Sequence, residues 1–328
     1  MKKKIISAAI AAILLTGCSA GGASSDENSE ISASDSTTSA DNSSGEYTSG
    51  ERDQNGVYVA EGYAARLEYP LDEKSVIYAA KRFQYVYNEY LKEKSGKVFV
   101  SVVPDKNCFL AEKNGYPAID YTKLVKLLTE NMDFADYIDI FPLLELSDYY
   151  RTDTHWRQEK ITDIAAFIAE KMGVKLSADY TEEKVDTPFY GVHYRQADIE
   201  IEPDELVYLK SGFMADCKVI DGETNKLTDI YNLKLSEGSD PYEIFLSGAK
   251  SLMTIENPNA PSGRTLVIFR DSFASSIAPL LAEGYSKITL IDIRYLAPEL
   301  IGRFVDFSDS DVLFLYSAPV LNNSITIK

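Results

Sequence analysis

The chain has 328 residues, with 51 acidic against 33 basic side chains and a formal net charge of −18. A surface this acidic argues against nucleic acid and anionic lipid as partners. The sequence has only two histidines and three cysteines, with no His-x-x-x-His and no metal-type cysteine spacing, so it predicts no metal site and no cofactor.

The N-terminus has the form of an export signal. Lys2, Lys3 and Lys4 precede an apolar stretch, residues 5–15, which is too short to span a bilayer as a permanent helix. The following Leu15-Thr16-Gly17-Cys18 resembles a bacterial lipobox, although an ordinary secretory signal with a chance cysteine is the alternative. The lipobox implies a signal peptide over residues 1–17 and lipidation of Cys18. Two or three acyl chains, at about 0.8 kcal/mol per buried methylene, would anchor the protein on the extracytoplasmic face of the cell membrane.

The next segment, residues 18–57, is rich in Ser, Gly and acidic side chains and has almost no large apolar ones. Such a segment cannot bury enough surface to offset chain entropy, so we expect a disordered tether. The remainder, residues 58–328, has the length of one large α/β domain.

Apolar spacing predicts alternating helices and strands along this domain. Helices are expected over residues 69–94, 121–132 and 157–172, and strands over residues 97–103 and 137–140. From about residue 180 to 258 the pattern changes to short strand-like runs, which predict a β-rich insertion; the runs cover residues 189–195, 205–209, 217–220 and 252–255. The alternation then returns, with strands over 265–269, 287–293 and 312–316 and helices over 274–283 and 298–304. This order predicts a mostly parallel sheet covered on both faces, with sites at the carboxyl ends of its strands.

The stretch Asp153-Thr154-His155-Trp156 precedes the helix predicted at residue 157 and holds one of the two histidines. A neutral imidazole is the usual group for moving protons near pH 7. Asp153 is placed to orient the ring of His155 and to stabilise its charged form against the positive end of the following helix. We therefore expect His155 to be a general base with Asp153 as its acid partner.

A serine stands at the corresponding point of a later strand. The residues Arg270-Asp271-Ser272-Phe273 follow the predicted strand 265–269 and open the next helix, which displays Ser272 at the carboxyl edge of the sheet. Free amides at the helix start would hold an oxyanion there. Ser272 alone also fits an ordinary helix cap. Together with Asp153 and His155, it supplies the nucleophile of a Ser-His-Asp triad.

Four motifs occur in the order in which they stand in DHHW-family proteins. The motifs are Val103-Pro104-Asp105-Lys106, residues 150–156, Asp271-Ser272-Phe273 and Ile291-Asp292-Ile293-Arg294-Tyr295. They resemble those of the SGNH-hydrolase-like domains of the alginate O-acetyltransferases AlgX and AlgJ, from about residue 57 to the C-terminus. The resemblance implies a three-layer SGNH-hydrolase-like α/β domain. It also implies that Asp153 is the triad acid, His155 the base and Ser272 the nucleophile.

Two positions depart from that pattern. Thr154 stands where the family name has its second His, as in alginate-type members, and Arg270 stands where the alginate-type serine block begins with a glycine that eases a tight turn. Arg270 would either obstruct the pocket or bind an anionic sugar. Lys106, Arg294 and Tyr295 also follow strand ends, so all four side chains are candidates for substrate binding. Packing or surface roles fit the last three equally well.

The resemblance implies transfer or removal of acetyl groups on cell-envelope or extracellular polysaccharide. Transferase and esterase stay open, because both form an acyl-enzyme and differ only in whether a sugar hydroxyl or water resolves it. In the transferase reading, an integral membrane acyltransferase is the expected partner that supplies the acetyl group. The alternative is a catalytically inactive glycan-binding or envelope-assembly protein that uses the same cleft.

Overall fold

The computed structural model describes residues 55–197 and 199–328. The predicted signal peptide, Cys18 and all but the last three residues of the predicted tether lie outside the described residues. Val57, the last of those three, already begins the first strand. Within the described ranges, no helix is both long enough and apolar enough to cross a membrane.

The described chain alternates strands and helices, as expected from its apolar spacing. The strands are β1 (Val57–Ala60), β2 (Tyr63–Arg66), β3 (Val98–Val103), β4 (Asp136–Tyr137), β5 (Thr181–Lys184), β6 (Val207–Lys210), β7 (Lys218–Asp221), β8 (Lys226–Thr228), β9 (Leu252–Glu256), β10 (Thr265–Arg270), β11 (Lys287–Ile291) and β12 (Asp311–Ser317). The α-helices are α1 (Glu73–Val86), α2 (Asn107–Leu110), α3 (Tyr121–Glu130), α4 (Thr162–Lys171), α5 (Val192–Gln196), α6 (Ala274–Leu281) and α7 (Ala318–Asn322).

A central sheet runs in the order β4-β3-β12-β10-β11-β9-β7-β8. The pairs from β4 through β11 are parallel, and the three strands beyond β11 are antiparallel. This arrangement confirms the mixed α/β fold with a large, mostly parallel sheet. Because β10 lies in the middle of the sheet, the residues that follow it emerge between the carboxyl ends of β12 and β11.

Helices cover both faces of this sheet. Successive side chains of a strand point to opposite faces, and both faces are apolar, so each must be buried in its own core. In β10, Leu266 and Ile268 face the core that α4 and α6 complete. Val267 and Phe269 face the opposite core, which α1, α3 and α7 complete. Side chains two residues apart on a strand share a face, so this alternation produces the three layers.

The segment predicted as a β-rich insertion is divided between two places. Its strands β7, β8 and β9 extend the central sheet, whereas β5 and β6 form a separate antiparallel hairpin.

The strand predicted over residues 189–195 is wrong, because residues 192–196 form helix α5. The backbone amides at the start of α5 donate to a distant loop rather than to a neighbouring strand. Gly191 N donates to Thr152 Oγ1 at 2.9 Å, and Val192 N donates to Asp153 Oδ2 at 2.7 Å. Tertiary contacts have here overridden the local strand propensity.

Helix α4 begins five residues later than the apolar spacing predicts. A short 3₁₀ turn occupies residues 158–160 instead. The side chain of Gln158 is buried there, donating to Ser276 O at 2.7 Å and accepting from Leu209 N at 2.8 Å. Gln158, between the histidine motif and α4, thus links this segment to α6 and β6 by hydrogen bonds.

Candidate active site

The serine turn is held by the acid that precedes it. β10 ends at Arg270, and the Asp271 carboxylate accepts hydrogen bonds from Phe273 N at 3.0 Å and from Ser317 N at 2.7 Å. Ser317 is the last residue of the neighbouring strand β12. Asp271 therefore fixes the turn to the sheet edge, and it leaves Ser272 partly exposed between two buried neighbours.

The histidine lies on a tight loop closed by its own backbone. Tyr149 and Trp156 form an isolated antiparallel bridge, and Tyr150 N donates to His155 O at 3.1 Å. Inside the loop, Asp153 Oδ1 accepts from His155 N at 3.0 Å. Asp153 and His155 therefore lie together on one hydrogen-bonded loop.

The three predicted residues meet in a single hydrogen-bonded line. Asp153 Oδ1 lies 2.6 Å from His155 Nδ1, and His155 Nε2 lies 2.7 Å from Ser272 Oγ, across 117 residues of sequence. With its proton on Nδ1, the imidazole donates to Asp153 and can accept the hydroxyl proton of Ser272 at Nε2.

The carboxyl group of Asp153 is held ionised. Burial alone would raise its pKa, but the adjacent His155 ring and the amide of Val192 stabilise the anion. These contacts hold the pKa of Asp153 well below its ordinary range. A carboxylate so placed stabilises an imidazolium when His155 accepts a proton.

Aromatic side chains surround the imidazole. Tyr242 stacks on His155 with ring centroids 3.8 Å apart and an interplanar angle of 3°, and Phe273 tilts against the ring at 4.9 Å. Trp156 is fully buried, and its Nε1 donates to Phe273 O at 3.1 Å and to Ser276 Oγ at 2.9 Å. These contacts join the histidine loop to the serine helix.

A second acid, Asp204, holds the histidine loop from outside. Its carboxylate accepts from Arg151 N at 2.8 Å, Thr152 N at 2.8 Å and Thr152 Oγ1 at 2.6 Å. Asp204 is buried and reaches these atoms across about fifty residues of sequence. We did not predict this role, because no periodicity or motif links the two segments.

Gly191 allows α5 to approach the acid closely. A Cβ atom built on Gly191 would lie 2.2 Å from Asp153 Cβ, closer than side chains can pack. The absence of a side chain there lets the Val192 amide reach the Asp153 carboxylate. No sequence pattern predicts this contact beyond the glycine itself.

One backbone amide at the serine turn is available to an oxyanion. Phe273 N is already bound to Asp271 Oδ1, whereas Ser272 N has no hydrogen-bond partner among the described residues. Of the two amides at this turn, that of Ser272 is therefore the donor that can stabilise a tetrahedral intermediate.

Arg270 does not have the place expected of a substrate-binding residue. It is fully buried, and Nη1 donates to Ser275 Oγ at 2.8 Å and to Asp271 O at 3.4 Å. Burial lowers the pKa of its guanidinium, while the nearby carboxylate of Asp292 opposes that shift. Arg270 is the last residue of β10, and its side chain points into the interior, where it has no access to solvent.

The other three candidates differ in position. Lys106 is buried and lines a cavity with Thr154, while its Nζ donates to Tyr150 O at 2.9 Å. Arg294 pairs with Asp292 through Nε at 2.9 Å and Nη2 at 2.7 Å. Tyr295 is 55% exposed. No hydrogen bond connects Arg294 or Tyr295 to the described triad residues.

Comparison with known proteins supports the fold and the motif region. The sequence model of the family described as DHHW protein matches residues 144–291, which include all three side chains of the hydrogen-bonded line. The resemblance to DHHW-family proteins is thereby confirmed over that range. No curated protein matches the sequence.

Solved structures from several bacteria are similar to this chain. A DHHW family protein from Eubacterium siraeum superimposes with a TM-score of 0.66 at 21% identity, covering 84% of this chain and 95% of the other. Bacillus cereus PatB1, solved also with a sulfonyl adduct, gives a TM-score of 0.63 at 17% identity, covering 81% and 96%. The O-acetyltransferase domain of Pseudomonas putida AlgJ gives 0.49 at 10% identity, covering 81% and 92%. At these identities the first two show the shared SGNH-like fold.

Proposed function

We propose that this protein is a serine acyl-transfer enzyme that places acetyl groups on, or removes them from, the hydroxyls of an extracytoplasmic polysaccharide. The observation that carries the proposal is the continuous line from Asp153 through His155 to Ser272, with both hydrogen bonds at or below 2.7 Å. A helix-capping serine has no need of a buried His-Asp pair at its hydroxyl, whereas a nucleophile does.

The first half of the reaction forms an acetyl-enzyme. Ser272 Oγ attacks the carbonyl carbon of an acetyl ester while His155 Nε2 takes the hydroxyl proton. The carbonyl oxygen becomes an oxyanion, to which the Ser272 amide is positioned to donate. As the tetrahedral centre collapses, the bond to the donor oxygen breaks, and His155 returns the proton to that leaving oxygen.

The second half releases the acetyl group. A hydroxyl, from water in an esterase or from a sugar in a transferase, gives its proton to His155 Nε2 and attacks the acetyl carbon. The bond to Ser272 Oγ then breaks, and the serine recovers its proton. Asp153 stabilises the imidazolium in both halves, because its carboxylate is buried and ionised beside the ring.

The test is a paired labelling and rate measurement. We expect an aryl sulfonyl fluoride to add to Ser272 Oγ, detected by peptide mass, and wild type to release acetate from an aryl acetate. Ser272→Ala should lose the label and about 10⁴-fold or more of kcat. Ser236→Ala, a serine in a surface turn, is the matched control. Equal rates in wild type and Ser272→Ala would remove Ser272 from the mechanism, and no acetate release by wild type above background would support the inactive glycan-binding alternative.

The anchor is proposed from the lipobox-like sequence around Cys18. We expect the protein to be held by lipid at the extracytoplasmic face, within reach of an integral membrane acyltransferase that would supply acetyl groups for transfer. Labelled palmitate should enter wild type and Cys217→Ser but not Cys18→Ser. Label retained in Cys18→Ser would remove the anchor from the proposal.

A further inference from the structure

A cavity of about 220 Å³ opens beside the histidine loop, and its lining residues do not include Asp153, His155 or Ser272. Its lining combines three apolar groups with polar and charged ones. The lining residues that matter here are Ala65, Val192, Pro319, His193, Lys106 and Glu68. The volume is below the about 300–1,000 Å³ of pockets for drug-sized ligands, so it suits a small group such as a single ring.

The cavity lies at the same edge of the sheet as the proposed nucleophile. Lys106 follows the carboxyl end of β3 and Pro319 follows that of β12, while Ser272 follows β10, the next strand. Neighbouring strands are about 4.8 Å apart, and β12 and β3 are the first and second strands beside β10 on this side of the sheet. Thr154, between the proposed acid and base, forms part of its wall.

His193 supplies an unused hydrogen-bonding atom in this wall. The side chain is 6% exposed and lines the cavity, and neither ring nitrogen has a hydrogen-bond partner among the described residues. Nδ1 is fully buried, which leaves Nε2 as the nitrogen that a ligand can reach. Burial, with a smaller effect from the Lys106 ammonium, lowers the pKa of His193 to about 3. The ring is therefore neutral at physiological pH. An unpaired ring nitrogen at the wall of a cavity is able to hydrogen-bond a group that enters it.

The charges around the cavity nearly balance. Arg66 and Lys106 face the carboxyl groups of Glu68 and Asp105. Burial lowers the pKa of Lys106 to about 7, and burial with the nearby Asp105 raises that of Glu68 to about 7. Neither sign of charge dominates, so the site does not favour an ionic ligand.

An anionic sugar is further disfavoured by two other observations. Arg270, one candidate for binding such a sugar, is buried. The whole chain also carries a net charge of −18, which repels polyuronates.

We propose that this cavity binds one uncharged sugar ring of the glycan, with the unpartnered Nε2 of His193 hydrogen-bonded to a ring hydroxyl. The apolar side chains of Ala65, Val192 and Pro319 contact the carbon face of the ring, and Glu68 and Lys106 meet further hydroxyls. The inference rests on the proposed function for its meaning as a glycan subsite beside Ser272.

Direct binding tests the inference separately from catalysis. Wild-type, full-length protein is titrated by calorimetry with cellotetraose and mannotetraose, which carry no acetyl group, and with tetragalacturonate as the charged counterpart. We expect a neutral tetrasaccharide to bind, and tetragalacturonate to bind at least tenfold more weakly. His193→Phe, which keeps an aromatic ring without the nitrogens, should weaken neutral binding by about tenfold, the scale of one hydrogen bond.

A second cavity variant keeps the test decisive if His193→Phe does not fold. Glu68→Ala should weaken binding severalfold, while Glu237→Ala, the same change in an exposed surface turn, should leave it unchanged. Thermal melting shows which variants are folded. Neutral binding that survives both cavity substitutions, tighter binding of tetragalacturonate, or no binding of either neutral tetrasaccharide would each overturn the assignment. The aryl-acetate assay on wild type and Ser272→Ala reports on the proposed reaction independently.

Discussion

The two halves of the candidate active site are held in place in different ways. The serine turn is fixed by Asp271, which immediately precedes Ser272 and binds the neighbouring strand through Ser317. The loop of Asp153 and His155 depends on groups far along the chain. A nucleophile that continues a central strand needs little outside support, whereas a loop that presents an acid-base pair needs a second segment to hold its backbone.

Because of this difference, we expect substitutions in the two halves to have different effects. Substitutions around Ser272 should change chemistry with little effect on the rest of the loop network. Substitutions in the 189–206 segment should change the position of the acid-base pair without touching either reacting atom.

Asp153→Asn tests whether the loop half acts through chemistry. The amide keeps the shape of the carboxylate but cannot stabilise an imidazolium, so we expect kcat for an aryl acetate to fall by about 10⁴-fold. The double variant with Ser272→Ala should lose no more than the larger single loss, because triad members act as a unit. Multiplicative losses in the double variant would show that the two residues do not work together.

Gly191→Ala tests the close approach between α5 and the acid. The added methyl group would collide with Asp153 Cβ, so we expect unfolding to become about 1–3 kcal/mol easier and kcat to fall by about 10²-fold through misplacement of the acid. Gly212→Ala is the control, because nothing lies within 4 Å of a Cβ atom there. Equal denaturation midpoints and rates for the two variants would contradict the contact.

Asp204→Ala tests the outer support of the loop. It leaves two backbone amides and the Thr152 hydroxyl without their acceptor, at about 1–3 kcal/mol for each buried group that stays unpaired. We expect kcat to fall more than KM rises, since the residue positions the loop and does not contact substrate. Asp216→Ala, whose carboxylate accepts from Asn259 at an exposed site, should stay within about 0.5 kcal/mol of wild type.

His193 predicts a pH dependence of stability. Its folded-state pKa is lowered to about 3 by burial, with smaller lowering effects from Lys106, His155 and Arg66, while the Asp153 carboxylate opposes the shift; the unfolded value is near 6.5. Between these values the unfolded chain binds more protons, so stability is lost as pH falls through this window.

The predicted slope is up to about 1.4 kcal/mol per pH unit below pH 6.5. Denaturant unfolding at pH 6.5, 5.5 and 4.5 should show a smaller slope for His193→Phe than for wild type. Parallel slopes would mean that this histidine is accessible to protons in the folded state.

Much of the site was predictable from the chain because the relevant patterns are short. β10 is a buried run followed directly by Asp271 and Ser272, and the Asp153-Thr154-His155-Trp156 motif keeps acid and base two residues apart. Both patterns depend on neighbours within a few residues. Their meeting across the sheet edge follows from the parallel order of the strands, which the alternation of helices and strands already implied.

Other features depend on contacts between residues that are far apart in the sequence, which no local pattern predicts. The strand expected over residues 189–195 became α5, because its amides found partners in the histidine loop rather than in a sheet. Arg270 was expected at the pocket, yet the alternation of β10 turns its side chain into the interior. His193 lies outside the sequence motifs that predicted the site, and its place in the wall of a cavity depends on the folded structure.

The sequence by itself determined the α/β class, the candidate nucleophile and the acid-base pair, since strand periodicity and closely spaced reactive residues are local properties. The tertiary structure alone decided that Asp204 and Gly191 support the acid, that Arg270 is buried, and that His193 lines a nearly charge-balanced cavity. These facts depend on which distant segments pack together, and packing at that range is fixed by the topology of the whole sheet.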